Sequence, residues 1–255
     1  MSDALVLVKR EDGVCRVALN NPARRNAIGP RMIDELLRAL EDAFADDAVR
    51  SIVLTGEGSI FCAGGDFGSF TGGDAPPPKG DYADLLLAMV RAPKPIVARV
   101  NGHAMGGGLG LVAASHFAVA SDDAKLGTPE VDVGLFPMMI MAVLRRLMPR
   151  RQLVQMMLFG ERLDAAVAVS AGLLNRAVPR EELDAAVKSI TDRIAEKSPI
   201  TLRLGLEAMA AQDDLDIEAA LPLLRDRLAA CLATDDAREG LSAFLEKRKP
   251  RWTGR

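Results

Sequence analysis

The sequence has little cysteine and histidine, little net charge, and no long apolar run. Its three cysteines, Cys15, Cys62 and Cys231, are odd in number and widely spaced. That excludes a disulfide framework and a cysteine-based metal site, and it points to a reducing compartment. Two separated histidines add no ligand set for a metal. A net charge of −3, with both signs interspersed, gives no field to attract DNA, RNA or an anionic membrane surface. No segment reaches the roughly 20 consecutive apolar residues of a membrane span, and residues 1–10 lack the basic start and apolar core of a signal peptide. The expectation is a cytoplasmic protein without a nucleic-acid or membrane partner.

At 255 residues the chain can bury a substantial core. Residues 5–9 and 14–19, separated by Glu11-Asp12-Gly13, predict a hairpin. Apolar residues at helical spacing predict a helix over 30–44, and 51–55 reads as a buried strand. A Gly- and Pro-rich stretch, 68–80, reads either as a lid or as a surface insertion. Helical pattern resumes over 82–90, and 96–100 is a second buried strand. Asn101-Gly102 turns the chain there, and Gly106-Gly107-Gly108 opens a helix ending near Ser115.

Residues 133–148 are almost wholly apolar and methionine-rich, which suits an acyl pocket, core or an oligomer interface. An amphipathic helix continues through Leu158 to a stop at Gly160, a short one ends at Gly172, and 175–178 adds a further strand. Beyond residue 180 the pattern is helical throughout. Strands alternating with helices, followed by helices alone, define an α/β class with a helical appendage.

The glycines carry the chemistry. Three in a row let a backbone amide approach a bound group, and the helix start adds unpaired N–H donors. Such a site suits an oxygen gaining negative charge. Two other readings stand beside it. Tight strand-to-helix packing accounts for one or two glycines, and Gly108, Gly110 and Ala113 fit a loose dinucleotide pattern, G-x-G-x-x-A. The dinucleotide pattern requires a strand running straight into its first glycine, and here residues 101–107 intervene. Cys62 reads as a buried filler before it reads as a reactive thiol. Ser115-His116 with Asp122 makes no nucleophile, since helix neighbours point apart and no G-x-S-x-G elbow is present. His103 reads as structural.

Taken together, Cys62-Ala63-Gly64-Gly65-Asp66, the Gly106–Gly108 triplet and Gly127-Thr128-Pro129-Glu130 resemble the enoyl-CoA hydratase/isomerase (crotonase) superfamily, a likeness running over nearly the whole chain. The resemblance implies a crotonase-like spiral of ββα units over residues 1–180, and a helical segment over 181–255 serving oligomerisation and the CoA site. It implies a homotrimer or a dimer of trimers, an acyl-CoA thioester substrate, and no cofactor beyond the CoA carried by that substrate. Backbone N–H groups of Gly65 and Gly107 would hold the thioester oxygen of an enolate, with Glu130 as acid/base.

The CoA moiety would meet Ala63 and Asp66 in the first loop, Arg24 and Arg25, and Phe244 and Lys247 near the C-terminus. Several positions depart from the family pattern. Gly110 stands where hydratases carry a first glutamate, Ser115-His116 replaces Cys-Asp, and Phe67-Gly68-Ser69 replaces a lysine that meets a CoA phosphate. One carboxylate can remove a proton and return it elsewhere on the same substrate. Pro137-Met138-Met139, in place of glycines beside the attacking water, implies a drier site. Isomerisation of an enoyl-CoA is therefore favoured over hydration, with a non-catalytic acyl-CoA binding protein as the alternative and a dinucleotide oxidoreductase as a remote one.

Overall fold

A computed structural model describes residues 4–66 and 79–255. The 68–80 stretch, read as lid or insertion, lies almost wholly outside the described residues. The hairpin is β1 (Val6–Glu11) and β2 (Val14–Leu19). Its turn is only Asp12-Gly13, both at positive φ, which suits the right-handed twist of the paired strands.

The expected buried strands are β3 (Ser51–Gly56) and β4 (Ile96–Val100). With β6 (Phe117–Ser121) and β9 (Arg176–Val178) they complete a six-stranded sheet in the order β1-β2-β3-β4-β6-β9, parallel from β2 onward.

Both faces of this sheet are covered, which explains why its central strands read as unbroken apolar runs. On one face, Ile52, Leu54, Ile96 and Ala98 pack against Met32, Leu36 and Leu40 of α1 (Pro30–Ala45) and Leu109 and Leu111 of α3 (Gly107–Ala113). On the other face, Val53, Val97 and Val119 meet Leu183, Ala186, Val187 and Ile194 of α7 (Leu183–Ala195). The helix that opens the C-terminal segment thus lies on the sheet.

A second, three-stranded sheet joins β5 (Ala104–Met105), β7 (Lys125–Gly127) and β8 (Arg162–Asp164). Strands this short carry no readable alternation, so the sequence gives no sign of them. Between 138 and 159 the helix is not continuous. Helix α4 (Met138–Leu144) ends before Pro149, which caps α5 (Arg150–Phe159). Gly160 closes α5 in the left-handed conformation. The remaining helices are α2 (Tyr82–Val90), α6 (Ala165–Ser170), α8 (Pro199–Gln212), α9 (Ile217–Leu232) and α10 (Asp235–Leu245). Among the described residues, no helix is long and apolar enough to cross a membrane.

Candidate active site

Two loops leave the C-terminal ends of the neighbouring parallel strands β3 and β4, the place where open α/β sheets bind ligands. The first, residues 57–66, is shaped by buried asparagines. Asn26 is fully buried; its amide donates to the carbonyls of Glu57 and Ile60, and its oxygen accepts from the Asn21 N–H at 2.9 Å. Asn101, at the start of the second loop, accepts from the Gly56 N–H and donates to the Gly58 carbonyl. Neither role was visible in the sequence, where Asn26 sat unremarked behind two arginines and Asn101 read only as a turn residue. Asn26→Ala would orphan several buried backbone groups and is expected to destabilise the protein by about 3 kcal/mol. A melting curve showing no loss would refute that account.

The loops are laced together. The Cys62 N–H donates to the His103 carbonyl and the Met105 N–H to the Cys62 carbonyl, at 3.1 and 2.9 Å. Gly65 lies beside Ile28, but that pairing uses the Gly64 carbonyl and the Asp66 N–H. The Gly65 N–H therefore faces away, with no acceptor among the described residues. Gly107 is the first residue of α3, so its N–H also has no partner within the helix.

The three adjacent glycines answer to different demands. Gly106 has φ +49, and a methyl group there would sit 2.5 Å from Glu130 Oε1. Gly108 lies against Cys62, whose side chain a methyl group would meet at 2.6 Å. Of the three, only Gly107 would take a methyl group at ordinary contact distance, its nearest neighbours being Tyr82 and Ile28 at 3.5 and 3.6 Å. Packing thus explains one glycine, as the plainer reading expected, and a different one from the candidate donor. Cys62 is the buried filler, its thiol pushed up to about 12 by desolvation. A phosphate would find no room at Gly108, or at Gly110, where Tyr82 and Ile140 close in.

Glu130 stands on a single 3-10 turn, Pro129–Val133, begun by the fixed φ of Pro129 and closed by Gly134 in the left-handed conformation. The small sheet sets this turn beside the glycine triplet: β5 pairs with β7, and the Gly106 N–H donates to the Gly127 carbonyl at 2.9 Å. Oε2 of Glu130 is buried and has no hydrogen-bond partner among the described residues. Burial raises the carboxyl above its ordinary value.

One cavity of 190 Å³ is lined by Gly65, Gly107 and Glu130, with Ile28, Phe136 and Ile140 among its apolar walls. Tyr82, Pro137, Met138 and Met139 also face it. The two methionines are largely exposed, at 64% and 51%, so they rim the mouth, and the apolar interior is made by the other walls. A second cavity of 240 Å³ shares Gly65 and Glu130 and adds Ala63, Gly64, Asp132 and Arg162. Glu130 thus stands between an apolar chamber and a more polar one.

The other sequence candidates are scattered. Arg24 pairs with Asp66 at 2.6 Å, so these two first meet one another. Arg25 is exposed, and its carbonyl accepts from the Ala63 N–H. Phe244, 80% exposed, and Lys247 border neither cavity. His103 is structural, with Nδ1 accepting from the Lys125 N–H; His116 Nδ1 accepts from the Ile96 N–H, and burial holds its pKa at about 4. Among the described residues, no group of three or more His, Cys, Asp or Glu is placed to hold a metal.

Strand-end loops on a mainly parallel sheet, a small second sheet and a helical C-terminal segment define this protein as one of crotonase fold. The sequence pattern of the enoyl-CoA hydratase/isomerase family matches residues 9–255, and the chain belongs to that family. It is 31% identical to the 2,3-dehydroadipyl-CoA hydratase of Escherichia coli, over 98% of this chain and 99% of that protein. It is 35% identical to the human mitochondrial enoyl-CoA hydratase domain-containing protein 3, over 95% of this chain and 81% of that one. The crystal structure of an enoyl-CoA hydratase from Mycobacterium smegmatis superposes with a TM-score of 0.92 at 33% identity, covering 98% and 99% of the two chains.

Proposed function

We propose that the protein isomerises the double bond of an enoyl-CoA thioester through an enolate. The thioester oxygen accepts from the Gly65 and Gly107 N–H groups, each preorganised donor contributing roughly 3–4 kcal/mol of transition-state stabilisation. Glu130 removes a proton from C2 of a 3-enoyl chain. The C2–H electron pair forms the C1=C2 bond of the enolate as the carbonyl pair moves to oxygen. When the carbonyl re-forms, the C1=C2 pair becomes the C2=C3 bond, the former C3=C4 pair takes the proton at C4, and the carboxylate is restored. Ala63, Asp66, Arg24, Arg25, Phe244 and Lys247 remain the CoA-side candidates; Ala63 is the one that borders the polar chamber.

The carrying observation is that, among the described residues, a single carboxylate, with one buried unpartnered oxygen, lines a cavity that also presents both glycines. Incubation with 3-enoyl-CoA and with 2-enoyl-CoA in deuterated water tests this reading. Deuterium redistributed along the chain without 3-hydroxyacyl product supports it; predominant 3-hydroxyacyl product makes the protein a hydratase. CoA-thioester binding without turnover across chain lengths makes it a binding protein.

The proposal includes a trimer or dimer of trimers in the cytoplasm. Supporting an assembly, α9 and α10 leave Leu221, Leu228, Leu232, Phe244 and Leu245 more than half exposed, an apolar surface larger than scattered single residues provide. Light scattering coupled to gel filtration is expected to give three or six times the chain mass, and a monomer at micromolar concentration would refute it. The three cysteines, all free, suit a reducing location.

A further inference from the structure

Tyr82 is the chain's only tyrosine and lies outside every motif that carried the family likeness. It is the first residue of α2, and a capping box fixes its direction. Asp81 accepts from the Ala83 and Asp84 N–H groups, and the Asp84 side chain accepts from the Asp81 N–H. The half-buried ring projects into the Glu130 cavity, where its hydroxyl donates to the Gly107 carbonyl. That hydroxyl also lies over Gly110. A methyl group there would stand 2.2 Å from the Tyr82 oxygen and 2.4 Å from Ile140 Cγ2, so these two side chains close the floor of the chamber.

We propose that Tyr82 is the specificity-determining residue of this site: its phenol occupies the place where the cavity would otherwise hold a water molecule, and so commits the bound thioester to proton transfer. This rests on the isomerase reading above. A water needs both room and polar partners. The partners are present, since Gly107 and Glu130, whose buried Oε2 has no partner among the described residues, line this cavity; the phenol takes the room and engages the Gly107 carbonyl, and the neighbouring side chains of Ile28, Phe136 and Ile140 are apolar. The phenol itself is no competing base. Desolvation, with the nearby Cys62 and Glu130, pushes its pKa well above the ordinary value, so it stays protonated.

Removing the hydroxyl leaves a gap about one oxygen wide beside the Gly107 carbonyl, in the cavity that Glu130 lines, which a water can fill. Hydration of a 2-enoyl thioester then becomes available. The water oxygen bonds to C3 as Glu130 takes one of its protons, the C2=C3 pair passes to the enolate, and Glu130 returns the proton to C2, for net addition of one water.

The test compares the unaltered enzyme with Tyr82→Phe and Tyr82→Ala on 3-enoyl-CoA and 2-enoyl-CoA in oxygen-18 water, reading isomer against labelled 3-hydroxyacyl product by mass spectrometry. Tyr82→Phe is expected to shift the ratio toward hydrated product on the order of tenfold, and Tyr82→Ala at least as far. An unchanged ratio in both variants overturns the proposal, as does loss of all turnover in both while they melt cooperatively, because the phenol would then serve the reaction itself. Predominant hydration by the unaltered enzyme is a separate failure, that of the isomerase reading, and is seen before any variant is made. A stability measurement keeps the packing premise testable on its own. Gly110→Ala is expected to lower Tm by roughly 3–10 °C, and by less in the Tyr82→Phe background. Equal losses in both backgrounds would assign the conflict to Ile140 alone and overturn it.

Discussion

Glu130→Gln is expected to lower turnover of the enoyl-CoA substrate by about 10²–10⁴-fold while raising Tm at neutral pH. The loss follows from removing the only carboxylate that lines the apolar chamber among the described residues. The gain in stability follows from linkage. Burial raises the Glu130 pKa in the folded state above its unfolded value. The stability associated with the protonated carboxyl is therefore fully present below the unfolded pKa and is lost as pH rises through the folded one. At neutral pH the ionised group, with Oε2 buried and unpartnered, destabilises the fold. A neutral amide relieves that cost.

The difference in Tm between variant and parent should open as pH climbs from below the ordinary carboxylate range to neutrality. In the parent, the acid limb of kcat/KM should fall above that range, since only the ionised form accepts a proton. Undiminished turnover in the variant would remove Glu130 from the mechanism, and a lower Tm at neutral pH would refute the burial argument.

Gly106→Ala is expected to cost 10²-fold or more in kcat/KM, with only a moderate fall in Tm. At φ +49 and ψ −122 an L-residue is strained by about 1–3 kcal/mol. The larger consequence is geometric. The new methyl group would meet Glu130 Oε1 at 2.5 Å and Cδ at 3.1 Å, so the carboxylate must move. A displacement near 1 Å is enough for a loss of that size. Gly13→Ala in the hairpin turn is the control. It imposes similar strain at φ +77 but touches only Arg50 and Ala48. It should lose stability and keep activity. Equal activity losses in both variants would show that strain alone, not displacement of Glu130, is responsible.

The sequence made the long elements legible because their burial is periodic or continuous. α1 shows its stripe through Met32, Leu36 and Leu40, and β3 and β4 show theirs as unbroken apolar runs. It also brought out Gly65, Gly107 and Glu130, which face one cavity. The short strands β5, β7 and β8 were not legible, since two or three residues display no period, yet they set Glu130 beside Gly106. Tyr82 was hidden for another reason: on a helix, a residue facing a cavity and one facing the core have the same spacing. The helical pattern beyond residue 180 is likewise matched by helices, though spacing alone does not tell what they cover. Leu221 and Leu228 follow a helical period, but α9 buries little beyond Ala220 within this chain.

The loops that carry Gly65 and Gly107 leave the ends of adjacent strands and are tied to one another by the Cys62–His103 and Met105–Cys62 main-chain hydrogen bonds. The relative placement of the two loops thus rests on main-chain hydrogen bonds, to which most side chains are indifferent. Drift to 33% identity from the Mycobacterium smegmatis enzyme, with the backbone still superposing at a TM-score of 0.92, is what such a design permits. Wall residues of the cavity can then be exchanged while the backbone around the two glycines goes untouched.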